Sequence, residues 1–147
     1  MPPQVTSPSS VQATVSSAEI LALFTTPKEI VAAPGTGKLL LPFACSTELL
    51  FGTTPYTKGP GAIGSLAIIY SGSPEDSSAD LMVDDGIAGG IFTQSADTVG
   101  RMSGNAGSNV RADAENKGLS LYTDTDDPTL GDGTLVVTVI YHIIELF

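Results

Sequence analysis

The apolar residues of this chain come in short extended bursts, and the longest closes the sequence: TLVVTVIYHIIELF, residues 134–147. Successive side chains of a strand point to opposite faces. Leu135, Val137, Val139, Tyr141 and Ile143 therefore share one face, and Val136, Thr138, Ile140, His142 and Ile144 share the other. A strand with one wet face alternates apolar with polar, and this one is apolar on both. A second sheet covers one side, so the other requires a loop of the same chain or another subunit. Leaving Val136, Ile140 and Ile144 in water would forgo about 1.5–3 kcal/mol each relative to burial. Val136, Ile140, His142 and Ile144 are accordingly the candidate subunit-interface residues.

Earlier stretches repeat the extended pattern on a smaller scale. Residues 28–33 (KEIVAA), 38–51 and 65–70 (SLAIIY) read as strands, and 80–83, 90–93 and 119–122 as shorter ones. Pro42 cannot donate to a ladder, so it marks an edge position or a bulge. Residues 19–24 fit one helical turn or a short strand equally well. Residues 51–64, 72–78 and 100–118 are loop by composition, the last with room for a weak strand. No stretch holds apolar residues at i, i+3, i+4 and i+7 through three turns. With sixteen glycines and ten prolines between the bursts, the expected class is all-β, a sandwich or barrel of antiparallel strands. Residues 1–17 carry isolated valines among serines, threonines and prolines, too few to pack alone. They read as an N-terminal arm, extended or disordered, ahead of a β domain at 18–147. Fully extended, such an arm reaches roughly 56–61 Å, enough to lie across a neighbour.

Composition sharpens the picture at two points. Six basic against sixteen acidic side chains leave a formal net charge of −10, which repels phosphate backbones and anionic lipid; neither nucleic acid nor membrane is an expected partner. Only 15% of residues are charged, against about 25% in an ordinary domain, while mean hydropathy is +0.22. Such a surface is either unusually neutral or covered by another chain. The apolar run at 135–147 falls short of the ~18 residues that suggest a membrane span, and MPPQVTSPSS has neither the basic nor the apolar region of a secretion signal. The single cysteine, Cys45, precludes an internal disulfide and reads as a small buried hydrophobe.

Three motifs invite chemistry and do not complete it. APGTGKLL (33–40) resembles a phosphate loop, but Ala32 stands where the first glycine belongs and Leu39 where the Mg²⁺-binding hydroxyl belongs; a turn between strands is the better reading. The acidic run Asp124, Asp126, Asp127 and Asp132 misses EF-hand spacing, with Pro128 and Thr129 at the fifth and sixth positions, and reads as a solvated turn. His142, the single histidine, has no neighbouring acid or nucleophile to serve as a general base. No G-x-S-x-G is present, and one histidine with one cysteine builds no zinc site. Neither an enzyme nor a cofactor is expected.

Residues 30–41 (a strand running into APGTGK), 50–56 (LFGTTPY) and 131–141 (GDGTLVVTVIY) together resemble the small head and tail accessory proteins of tailed bacteriophages, and are similar to trimeric capsid decoration, or cement, proteins. The resemblance spans most of 18–147. It implies a jelly-roll-like antiparallel β-sandwich, a homotrimer, and a virion structural protein on the outer surface of the capsid, bridging subunits of the major capsid protein. It also implies an arm that touches the shell, with Pro2, Pro3, Gln4 and Val5 as the contacting residues. The alternative is a receptor- or glycan-binding module of a tail or fibre, for which Tyr56 and Phe92 are the loop aromatics; the lack of tryptophan counts against a sugar platform. A small hydrolase is a third reading, with no nucleophile and base to support it.

Overall fold

The structure is a computed structural model in which residues 4–57, 65–73, 80–84, 90–104, 111–124 and 126–147 are described. Among the described residues eight strands form one antiparallel sheet: β1 (Ser9–Val15), β2 (Lys28–Val31), β3 (Lys38–Leu50), β4 (Leu66–Tyr70), β5 (Met82–Asp84), β6 (Thr98–Gly104), β7 (Leu119–Thr123) and β8 (Thr134–Glu145). Their spatial order is β1-β8-β3-β6-β5-β4-β7-β2. The order divides into halves, β1-β8-β3-β6 and β5-β4-β7-β2, joined where β5 pairs with β6. At the opposite end β1 lies against β2, so the sheet nearly closes. The chain passes back and forth between the halves, which is the jelly-roll arrangement of interlocked Greek keys. The expected jelly-roll-like all-β fold is what forms.

The core lies between the halves. Leu135, Val137 and Val139 of β8 and Leu40 and Leu49 of β3 face Leu66 and Ile68 of β4 and Leu119 and Leu121 of β7, all buried. Each contributes about 1.5–3 kcal/mol by leaving water. Cys45 also points inward, its sulfur 3.3 Å from that of Met102; burial pushes its thiol up to about 12, which makes it inert as a nucleophile.

Several expectations need correction. Ser9–Val15, within the segment read as an arm, is a strand that pairs with β8 from Ser9↔Tyr141 to Val15↔Leu135. Val15 is fully buried, so the sheet begins before residue 17. Its small residues pack because β8 supplies the template. Residues 90–93 form a 3₁₀ turn and not a strand: Gly90 adopts φ +57, and the Asp84 carboxylate accepts the Ile91 amide at 3.2 Å, turning the chain out of the ladder. The two-way reading at 19–24 resolves to a helical turn, α1 (Ser17–Ile20), fixed by a capping box in which Ser16 and Glu19 serve each other's amides. A second short helix, α2 (Arg111–Ala114), precedes β7. Within 100–118, read as loop with room for a weak strand, residues 100–104 belong to β6.

Candidate docking face

The closing strand behaves asymmetrically. On β8 the inward Leu135, Val137 and Val139 are buried and Tyr141 and Ile143 half-buried against the core, while Val136, Ile140, His142 and Ile144 on the outer face are half-buried. Burial on both faces occurs instead on β4 and β7, where all five residues of each are buried. Ala67, Ile69 and Tyr122 form a separate cluster on that outer side, with the Tyr122 hydroxyl donating to Asp80 at 2.5 Å. The chain thus covers both faces of β4 and β7 and leaves the back of β3 and β8 only partly covered.

What stands on the open face is set by Pro42. The register of β3 against β8 runs Pro42↔Tyr141 and resumes Ala44↔Ile140, a bulge at the residue after the missing N–H. The extra residue, Phe43, is turned outward; it is 50% exposed and stacks on His142 with ring centroids 4.9 Å apart. Leu41 lies opposite His142 in the ladder and is 48% exposed. Beside them is a hollow of about 290 Å³ lined by Phe43, Ser46, Arg101, Thr138 and Ile140. Sequence reading passed over Leu41 and Phe43 because an unbroken alternation hides a bulge. The proline was the available signal, since a bulge re-aims the side chain beside it.

The same face receives the start of the chain. Residues 4–6 continue past β1 along the edge of β8, with the Thr6 amide donating to Ile143 O and the Glu145 amide to Gln4 O, each at 3.2 Å. His142 Nδ1 lies 2.8 Å from Thr6 O, so that nitrogen carries a proton and donates. Val5 bridges to Ile144. Gln4 and Val5 thus lie against the end of β8 that holds His142 and Ile144, with Val5 itself exposed, while Val136 lies at the other end of the strand, opposite Thr14. Pro2 and Pro3 fall outside the described residues.

The chemical lookalikes are accounted for by internal bonds. In the APGTGK turn the amides of Gly35 and Gly37 donate to Asn116 Oδ1 at 2.9 Å and Glu115 Oε1 at 3.0 Å. The place of a phosphate is taken by the protein's own carboxylate. Arg111 and that amide hold the Glu115 carboxyl below its ordinary range. In the acidic run, Asp127 accepts from the amides of Phe24 and Thr25 and from the Thr25 hydroxyl. Asp132 accepts the amides of Thr53 and Thr54, both at 2.8 Å, and the Thr53 hydroxyl at 2.6 Å, and these bonds lower its pKa. GTTPY and GDGT, two pieces of the phage-protein resemblance, therefore form one clasp. Tyr56 completes it, its ring packed on Gly131 and edge-on to Phe92, its hydroxyl donating to Gly133 O at 2.5 Å. Tyr56 and Phe92, expected as exposed loop aromatics, are 2% and 7% exposed; glycine at 131 makes room for the tyrosine ring, so neither aromatic offers a sugar platform.

No protein-family model matches the chain, and no curated protein matches it. Among solved structures it is similar to a chain of a cyanophage Pam1 capsid asymmetric unit, with a TM-score of 0.46, 12% identity, and coverage of 95% of this chain and 85% of that one.

Proposed function

We propose that the chain is a structural component of a tailed-bacteriophage virion: a decoration, or cement, protein that binds the outside of the head as a homotrimer and bridges neighbouring major-capsid subunits. One observation carries this reading. A jelly roll that fully covers the back of β4 and β7 leaves Leu41, Phe43, Ile140 and Ile144 only partly covered on the back of β3 and β8. Apolar surface left open beside covered surface suits a partner protein. The motif segments act as a clasp that fixes the sheet ends, which is scaffold work, and the proposal assigns no catalytic step, cofactor, nucleic acid or membrane. A protein that binds assembled shells and not separated subunits stabilises the assembly by mass action, and many copies multiply the effect. The test compares heads with and without this protein under heat and osmotic shock. Decorated heads are expected to retain DNA under harsher treatment; equal release from both would refute the role.

A further inference from the structure

We infer that the occupant of the open β3–β8 face is a second copy of this chain, with Phe43 of one copy seated in the hollow between Arg101 and Ile140 of the other. This deepens the assembly role proposed above and rests on it. Three observations converge. Knob and hollow lie side by side on one face: Phe43 stands half-exposed at the rim of a depression of about 290 Å³. That volume is at the bottom of the range for small-molecule sites, roughly 300–1,000 Å³, and suits a side chain better than a ligand. Charge is the second. Each copy carries a net −10, so two copies repel unless they meet where carboxylates are scarce. Along the paired positions of this face, from Thr14 and Val136 to Leu41 and His142, the charged side chains are Glu48 and Arg101, whose charges cancel; Lys38 and Glu145 at the rim pair with each other at 3.7 Å. Arg101 makes no ion pair among the described residues.

The third is anchorage. Phe43 is held by the Pro42 bulge and by stacking on His142, and His142 is held in turn by Thr6. An aromatic fixed before contact loses little freedom on docking, the property of interface hot spots.

The test measures molecular mass by sedimentation across a concentration series for the full chain, Phe43→Ser, Ser46→Trp and Leu130→Ser. Ser46→Trp fills the hollow and leaves Phe43 intact. Leu130 is 65% exposed in the turn before β8, at the far end of that strand from His142, and serves as the control. Circular dichroism confirms folding, which is expected because residues 43 and 46 are exposed. The unaltered chain and Leu130→Ser should associate alike, with Phe43→Ser and Ser46→Trp weaker by about thirty-fold or more, the scale of a lost hot spot. A monomeric parent chain overturns the inference, as does unchanged association in Phe43→Ser or in Ser46→Trp. Occupancy on shells is read separately. If Phe43→Ser keeps its mass but no longer binds shells, the face belongs to the capsid: the self-docking inference fails while the assembly role stands.

Discussion

Gly131 offers the most direct test of how the clasp holds the sheet ends. Its φ is +92, a region in which an L side chain is strained by about 1–2 kcal/mol. A Cβ there would sit 2.3 Å from Tyr56 Cδ1 and 2.5 Å from Cγ, far inside contact distance. The ring has no easy retreat, being 2% exposed, packed on Phe92 and bonded to Gly133 O. Displacing it breaks a buried hydroxyl bond, at about 1–3 kcal/mol. Gly131→Ala should therefore cost about 2–5 kcal/mol. Gly72→Ala isolates the backbone share, since Gly72 has φ +80 with nothing among the described residues within 4 Å of a Cβ, and should cost only about 1–2 kcal/mol. Urea unfolding followed by circular dichroism at fixed protein concentration reads both. At about 2–4 °C per kcal/mol for a chain of this size, Gly131→Ala should melt roughly 4–20 °C lower. Adding Tyr56→Leu should shrink the cost of alanine at 131 toward that at 72, the signature of coupled neighbours. Equal losses for Gly131→Ala and Gly72→Ala, or full additivity with Tyr56→Leu, would refute the clasp as described.

Two further outcomes follow from buried and titrating groups. Thr47 is 1% exposed, and its hydroxyl has no partner among the described residues. Thr47→Val should raise the unfolding free energy by about 1 kcal/mol or more, read as a higher urea midpoint at unchanged slope, and a lowered midpoint would contradict the orphan hydroxyl. Glu19 is held down to about 2 from an ordinary 4.5, first by its hydrogen bond to Lys28, and Asp132 and Glu115 are also lowered. A depressed carboxyl contributes stability that is present above its unfolded value and lost as pH falls through the folded one. Unfolding free energy should thus begin to drop below pH about 4.5 and continue toward about 2. Glu19→Gln should flatten that slope, and an unaltered slope would show that the Lys28 contact contributes nothing.

The parts of the fold that the sequence disclosed are those whose partners matter little. SLAIIY reads as a strand from its short apolar run alone, and the structure buries it on both faces. The alternation of β8 identifies its inner face without knowledge of what it packs on. β1 shows the reverse case. Val11, Ala13 and Val15 do alternate, but such small residues become a strand only on β8, more than a hundred positions away, and the serines and prolines ahead of them suggested an arm. At α1 the signal was present as Ser16 and Glu19 spaced for a capping box. Tyr56 was misjudged because its burial depends on the glycine at 131 and not on anything near residue 56. The candidate docking residues divide the same way. Val136, Ile140, His142 and Ile144 came from periodicity, whereas Phe43 came from a bulge, which shifts the period by one residue and so defeats it.

The chain's shortage of cations gives these features a common cause. With sixteen acidic and six basic side chains, most carboxylates cannot find an ion pair. Many accept backbone amides instead: Asp84 that of Ile91, Asp97 that of Phe51, Asp127 those of Phe24 and Thr25, Asp132 those of Thr53 and Thr54, Glu115 that of Gly37. A carboxylate on an N–H is a charge-assisted bond, about twice as strong as a neutral one, and each of these ties a loop or turn to another segment of the chain. Negative charge is thereby gathered at the ends and turns of the jelly roll, where free amides exist. The middle of a sheet offers carboxylates no such partner, because its amides are already in ladders. The back of β3 and β8 stays largely apolar, with Glu48 and Arg101 as the charged side chains along its paired positions, and under the self-docking proposal it is the surface on which two such acidic molecules would meet with little repulsion.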